Sequence, residues 1–428
     1  MKIIKYPTKE QFASITKRPV RSFQELYQIV QPIINAVKNE GDAALRHYTA
    51  KLDNVVLQSL HFTANRISEA AARLDPALAR AIDRAAENIF AFHRAQKPVA
   101  VDMETAPGIR CWRASRPIEK VGLYIPGGTA PLFSSLLMLA IPAKIAGCKE
   151  IVVSTPPDAD AGVSDALAYV AKLLELDAIC LAGGAQAVAA MAFGTESVQK
   201  VDKILGPGNQ YVSAAKQIVA LEYQVAIDLV AGPTELLIIA DESANPAFLA
   251  ADLLSQAEHG IDSQVLLLST SEQLIDAVSR EVNSQLTQLK RKEIAMQCLP
   301  SAVCVCVESL KQALEFSNLY APEHLILAVR NPLELKESVE SAGSVFLGDY
   351  TPEALGDYAS GTNHTLPTNG AARAYSGVSV DDFRKSITFQ EATAEGLSAI
   401  AETIELMANA EGLDGHANAV RIRIEPKS

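Results

Sequence analysis

The residues best placed for chemistry begin with the run Asp252 to Asp262, which reads Asp-Leu-Leu-Ser-Gln-Ala-Glu-His-Gly-Ile-Asp. Apolar Phe248, Leu249, Ala251, Leu253, Leu254 and Ala257 approach its end at helical spacing after the turn signal Asn245-Pro246. Gln256 and His259 therefore fall near the end of an amphipathic helix that Gly260 stops. Residues three apart share a helix face, so the Gln256 amide oxygen and a His259 ring nitrogen can meet one ligand or one metal ion. Taken alone, the pair is more simply a polar helix end with His259 capping carbonyls.

Three further polar groupings change that balance. Pro322-Glu323-His324 stands between a helical pattern ending near Tyr320 and the apolar run Leu325-Ile326-Leu327, which sets an acid beside an imidazole at a turn. Gly356-Asp357-Tyr358-Ala359-Ser360-Gly361-Thr362-Asn363-His364 is a glycine-punctuated polar loop, and Glu411 with His416 lies near the C-terminus. Four of the seven histidines thus occupy loop or helix-end settings in the second half of the chain, as a metal or acid-base site requires. His259, His416 and Asp357 suit zinc, but an amide oxygen from Gln256 is an uncommon zinc ligand, so Mn²⁺ or no metal stays open on these residues alone. Glu323 and His324 suit general acid-base work, because burial can bring either toward neutral pH. A solvated glutamate beside a helix-capping histidine is the plainer reading of the same pair.

These groups must be held by a sizeable scaffold. The chain has 428 residues, 49% of them hydrophobic and 21% charged, enough for at least two cores. A net charge of -12 without a long Lys/Arg run argues against nucleic acid. The most apolar run, Leu136 to Ile145, is broken by Pro142 and Lys144, so neither a membrane span nor a signal peptide is expected and the chain reads as cytoplasmic. Six scattered cysteines, without a Cys-x-x-Cys pair, read as free thiols.

The first hundred residues read as helical: a Ser22-x-x-Glu25 capping box, a second run opened by Pro32 and closed at Gly41, and a helix from Pro76 toward Pro98. His47, His61 and His93 have no motif partners there and read as structural or surface residues. From Val121 the texture changes to short apolar runs at Val121 to Ile125, Ile151 to Ser154, Ile179 to Leu181 and Lys203 to Leu205. Glycine- or proline-rich turns and helical stretches follow each run. That alternation predicts a parallel sheet with ligands at the strand C-terminal ends. The dinucleotide motif Gly-x-Gly-x-x-Gly and the phosphate-binding Gly-x-x-x-x-Gly-Lys-Ser/Thr are both absent. A second strand series follows at Leu236 to Ala240, Val265 to Leu268, Ala302 to Val307 and Ser344 to Leu347, and Gln390 to Met407 reads as one long helix. The expected fold is α/β: two Rossmann-like parallel-sheet domains, a helical N-terminal region and a small C-terminal dimerisation tail. The units would meet near Ala231-Gly232-Pro233 with the active site in the cleft.

Several long motifs together resemble the histidinol dehydrogenase family. They are Val121-Gly-Leu-Tyr-Ile-Pro-Gly-Gly-Thr-Ala-Pro-Leu-Phe-Ser, Gly183-Gly-Ala-Gln-Ala, Val201-Asp-Lys-Ile-Leu-Gly-Pro-Gly-Asn, the Asp252 run, Pro322-Glu-His-Leu, Ser341-Ala-Gly-Ser-Val-Phe-Leu-Gly-Asp and the Gly356 loop, in the family's order over most of the chain. The resemblance implies NAD-dependent four-electron oxidation of L-histidinol through L-histidinaldehyde to L-histidine, the last steps of histidine biosynthesis. It implies one Zn²⁺ per subunit held by Gln256, His259, Asp357 and His416, with zinc orienting the substrate. His324 would take the alcohol proton and Glu323 would activate water on the aldehyde. Thr234, where the family often has serine, would contact substrate with Gln256, His259, His324, Asp357, His364, Glu411 and His416; Tyr124, Gln186 and Asn209 would contact NAD. An intertwined homodimer would exchange His416 and Glu411. Cys111 and Cys148 also align with family cysteines, but the water route needs no thiol. The implied boundaries are an arm over 1–20, a first α/β domain over 21–120 plus 233–375, an NAD-binding domain over 121–232 and an exchanged helical tail over 376–428. A zinc hydrolase lacks His-Glu-x-x-His here, and a silent binding protein would not need Glu323 and His324.

Overall fold

Two six-stranded sheets and one three-stranded sheet organise the chain, described here from a computed structural model over residues 1–18, 23–96, 99–127, 132–229 and 232–424. The first sheet runs Lys2–Lys5, Val303–Cys306, Gln264–Ser269, Glu235–Ala240, His324–Ala328 and Ser344–Leu347, all parallel. Leu236, Ile238 and Ala240 of its central strand face one core and Leu237 and Ile239 the other, so both faces are covered, which is why that strand reads as an unbroken apolar run. The second sheet runs His61–Thr63, Ala178–Leu181, Glu150–Thr155, Lys120–Tyr124, Lys203–Leu205 and Ala226–Ile227, parallel except for His61–Thr63. The expected α/β class and the two parallel sheets are present. All six cysteines are free, and no helix among the described residues is long and apolar enough to cross a membrane.

Several local expectations are corrected. Pro32 does not open a second helix but lies within Phe23–Glu40. Its missing N–H and ring clash cost about 3 kcal/mol, opposed by a continuous buried stripe of Leu26, Val30, Ile34 and Val37. Ser22 and Pro98, and with Ser22 the expected capping box, lie outside the described residues, as do Gly128 and Ala231. The N-terminal region is not wholly helical, since Lys2–Lys5 and His61–Thr63 add edge strands and Val101–Ala106 and Ile109–Pro117 form a hairpin. Gln390 begins no helix: Arg384–Ala392 pairs antiparallel with Ile109–Pro117, and the helix Ala394–Ala410 starts only after the Thr393 cap. The tail over 376–428 is therefore part strand.

Packing also departs from the expected grouping of 21–120 with 233–375. Leu26, Ile34, Leu45, Ile82 and Ile89 share one core with Leu123, Leu139 and Ile204, so the helices between residues 23 and 94 cover the second sheet. Of the expected arm over 1–20, the described residues 1–18 join the first sheet, through strand Lys2–Lys5 and buried Phe12.

In each large sheet the earliest central strand has later strands on both sides, which creates a crevice at its end. The second sheet offers its C-terminal edge, at Gly206, to the N-terminal edge of the first, at Thr234 and Glu323. A buried ion pair braces this junction. Lys216 Nζ pairs with Asp228 and donates to the carbonyl oxygens of Gly206 (2.9 Å) and Leu229 (3.0 Å), while Asp228 accepts from the Gly206 amide at 2.6 Å. Burial raises the Asp228 pKa and the Lys216 charge opposes that rise. Removing one partner strands the other charge, so Lys216→Met is expected to lower stability by about 3–5 kcal/mol. Asp228→Asn in the same chain should recover most of the loss; denaturant unfolding of both variants checks this, and an unchanged midpoint for the single variant would refute it.

Candidate active site

The helix Leu310–Tyr320 ends at Ala321, whose φ of 53° turns the chain into Pro322-Glu323 and the strand His324–Ala328. Gly343 lets its own strand lie against this turn, because a Cβ there would come 2.5 Å from the Glu323 carbonyl oxygen. Glu323 Oε2 accepts from Thr234 Oγ1 at 2.6 Å and from the Glu235 amide at 2.8 Å. Burial pushes the Glu323 pKa up to about 7 against the lowering influence of His324 and these donors. Glu235, beneath it, is held by Arg18 through two hydrogen bonds of 2.5 and 2.7 Å.

His324 is buried, with Nδ1 3.0 Å from the Glu235 carbonyl oxygen. A carbonyl only accepts, so Nδ1 carries a proton and the other nitrogen, Nε2, is the one that can take one up. Nε2 has no hydrogen-bond partner and lies 3.6 Å from Asp357 Oδ1. Burial lowers the His324 pKa, but Glu353, Glu323 and Asp357 outweigh it and raise it to about 10.

The helix Glu353–Tyr358 sets Glu353 and Asp357 one turn apart on one face. Burial opposes ionisation of Asp357, yet the His324 ring beside it holds its pKa below the usual range. His259 follows the helix Pro246–Ala257, open to solvent on one side; burial of the ring lowers its pKa and Asp357 opposes this. Ligand atoms of His259, Glu353 and Asp357 lie within 4.8 Å of one another. One nitrogen and two carboxylate oxygens at that spacing fit a divalent cation.

Gln256 stands one layer behind, fully buried. Of its two amide orientations only one sets the nitrogen toward the Glu353 oxygens. In it the nitrogen lies 2.7 and 3.1 Å from the two Glu353 oxygens and the amide oxygen lies 2.9 Å from Thr234 Oγ1.

A cavity of about 180 Å³ gathers Thr234, His259, Glu323, His324, Glu353, Asp357 and His364 with Gly206, Gly208 and Asp228 of the second sheet. It lies between the two sheets, where the sequence placed the site. His364 spans the units, Nδ1 2.9 Å from the Asp357 carbonyl oxygen and Nε2 3.2 Å from Ser135 Oγ. Tyr124 ends the strand Lys120–Tyr124 of the second sheet, and Gln186 and Asn209 follow the C-terminal ends of Ala178–Leu181 and Lys203–Leu205. Tyr124 Oη accepts from the Gly184 amide at 3.1 Å, Asn209 caps the helix Gln210–Tyr223, and Gln186 Oε1 is buried without a partner, as a ligand-facing acceptor would be. Gly206 tolerates no side chain: its φ is 128° and a Cβ would meet the Tyr124 carbonyl oxygen at 2.1 Å.

Glu411 and His416 are not brought to this cavity; both are exposed on the C-terminal helices Ala394–Ala410 and Asp414–Ile424 or the turn between them. Cys111 and Cys148 lie outside it too, and burial pushes the Cys148 thiol up to about 11, far from a reactive thiolate. Glu353 is the residue that sequence reasoning missed; its only signal was an acid one helical turn before Asp357.

A family model described as histidinol dehydrogenase matches residues 16–424. The chain belongs to the histidinol dehydrogenase family. The histidinol dehydrogenase of Bacteroides thetaiotaomicron is 55% identical over 424 residues, covering 99% of each chain. That of Vibrio vulnificus is 51% identical over 414 residues, covering 96% of this chain and 95% of its own. A crystal structure of histidinol dehydrogenase from Elizabethkingia anophelis superposes with a TM-score of 0.96 at 51% identity, covering 99% of this chain and 98% of that one.

In this family member the raised Glu323 pKa has a consequence for stability. The folded chain keeps the Glu323 proton between the ordinary glutamate range and about 7, where the unfolded chain has lost it. Stability therefore falls as pH rises through that interval. Glu323→Gln has no proton to lose, so in metal-free protein its melting temperature relative to wild type should rise between about pH 5 and about pH 8. The opposite trend would mean that Thr234 and the Glu235 amide outweigh burial.

Proposed function

We propose that this chain is an oxidoreductase of histidine biosynthesis that oxidises L-histidinol to L-histidine through L-histidinaldehyde with two NAD⁺, acting in the cytoplasm as a homodimer. The observation that carries the reading is the buried, unpartnered His324 Nε2 in a cavity beside a glutamate whose pKa is about 7. That is a base and a proton acceptor of different strength at one point.

Zn²⁺ would be held by His259, Asp357 and the Gln256 oxygen, with His416 of a second copy. When bound, it would orient the substrate's imidazole and amino groups. NAD⁺ would lie along Tyr124, Gln186, Asn209 and the Gly206 turn and supply the hydride acceptor.

The rest is done by side chains. His324 Nε2 takes the hydroxyl proton as the carbinol hydride departs, while the Glu235 carbonyl holds the ring in place. Thr234, His364 and, from a second copy, Glu411 contact the substrate and keep the aldehyde from leaving. Glu323 then takes a proton from water as the water oxygen bonds to the aldehyde carbon, and His324 returns its proton to the former carbonyl oxygen, which leaves the hydrate and a neutral imidazole. The hydrate loses a second hydride, and His324 accepts the proton of that step. Exposed Leu406, Met407, Leu413 and Ile422 give the C-terminal helices an apolar surface suited to a second copy.

Limiting L-histidinol should yield about two NADH per molecule, since one hydride leaves at each stage. Chelation should abolish the yield and zinc restore it; one NADH would remove the Glu323 role, and none with zinc bound would sink the reading. Glu323→Gln should slow oxidation of supplied aldehyde more than release of the first hydride, which single-turnover NADH traces resolve; equal slowing would count against the assignment. His416→Ala should lower zinc content of the purified dimer by about 10-fold or more at limiting zinc, and normal content would exclude it as a ligand.

A further inference from the structure

We propose that Glu353 is a positioning residue that fixes the Gln256 amide so that its oxygen, and not its nitrogen, faces the metal and substrate site; the inference rests on the reading of Gln256 as a ligand given above. Glu353 also stands 3.7 Å from His324 Nδ1, but its nearest polar contact is the Gln256 amide. It is 1% exposed, and both its carboxylate oxygens face the Gln256 nitrogen, at 2.7 and 3.1 Å. An ionised carboxylate only accepts and an amide NH₂ only donates, so the pairing with ionised Glu353 favours this amide orientation over the reversed one.

The amide oxygen then points toward Thr234 Oγ1, 2.9 Å away. Thr234 has one hydroxyl proton and Glu323 Oε2 accepts it at 2.6 Å. The Gln256 oxygen is thereby left with unshared lone pairs on the side of a residue that lines the cavity. An amide is a weak ligand whose two ends differ little in size, so nothing but its hydrogen bonds decides which end a cation meets. Asp357, one helical turn along, is left to contact the cation directly.

The same contact separates Glu353 from a ligand role. Acceptor character and reach are what positioning needs, whereas charge is what direct ligation needs. Glu353→Gln keeps an acceptor oxygen at full reach without the charge. Glu353→Asp keeps the charge but is one methylene short of the amide. Glu353→Leu removes both.

The test is the zinc dissociation constant of the folded, full-length dimer, measured for zinc alone by competition with a chromophoric chelator at fixed pH, with circular dichroism and melting as folding controls. Glu353→Leu and Glu353→Asp are expected to bind zinc about 10- to 100-fold more weakly, the range for loss of a group that orients a ligand. Glu353→Gln should keep wild-type affinity. If the leucine variant does not fold, the comparison of Asp with Gln decides alone. Wild-type affinity in Glu353→Asp with weakened Glu353→Gln would overturn the proposal in favour of direct ligation, and unchanged affinity in all variants would overturn it outright. Wild-type protein that neither binds zinc nor forms NADH from L-histidinol would instead remove the functional reading itself.

Discussion

Glu323, Glu353 and Asp357 set carboxylate oxygens 3.6–3.7 Å from the single imidazole of His324, with Glu235 close by, and the three glutamates are buried. Each unpaired charge there would cost several kcal/mol, about the scale of a domain's whole net stability. The fold answers each one differently. Arg18 neutralises Glu235, a hydroxyl and a backbone amide hold Glu323, the Gln256 amide faces Glu353, and His324 supports Asp357. Those partners come from positions as far apart as 18 and 357, so the charge cluster can be satisfied only after the first sheet and its neighbours have assembled. A large share of the topology is thus tied to one electrostatic requirement.

The orientation of the two sheets follows the same logic. Strand N-terminal ends expose N–H groups, and the Glu235 amide uses one to hold a carboxylate. The second sheet instead presents C-terminal strand ends, where turns such as Gly206 bring bare backbone close to whatever binds. Helix Pro246–Ala257 lies between two parallel strands and therefore returns its last turn, with His259, to the N-terminal edge of the first sheet. On the proposed reading, acid-base groups and a hydride acceptor then approach one point from opposite sides. Lys216, bonded to both Gly206 and Leu229, keeps that opposition in register.

The parts legible in the sequence were those encoded locally. The parallel strands announced themselves because both faces are buried, and Gln256 with His259 because helical spacing needs no partner to be seen. Glu353 was silent, since burial beside His324 is a property of the assembled fold and an acid next to a proline looks like any helix start. Pro32 misled for the opposite reason: a strong local breaker was overridden by a stripe packed on distant helices. Residues 390 to 392 were lost because Arg384–Ala392 is largely exposed on both faces, so no two-residue alternation marks it as a strand. The grouping of residues 23 to 94 with the wrong sheet arose because an amphipathic helix shows that it will pack, and not against what.

Glu411 and His416 pose a different kind of problem, because within one copy of the chain both stand exposed and away from the cavity. Gln256, His259 and Asp357 bring three donors, one fewer than a four-coordinate ion takes from protein alone. The remaining candidates stand on exposed helices bearing uncovered Leu406, Met407 and Ile422. On the proposed reading, burial of that apolar surface and completion of the metal site are one event. Metal binding then stabilises the paired state over the separate chains in proportion to its occupancy, and pairing strengthens metal binding by the same factor.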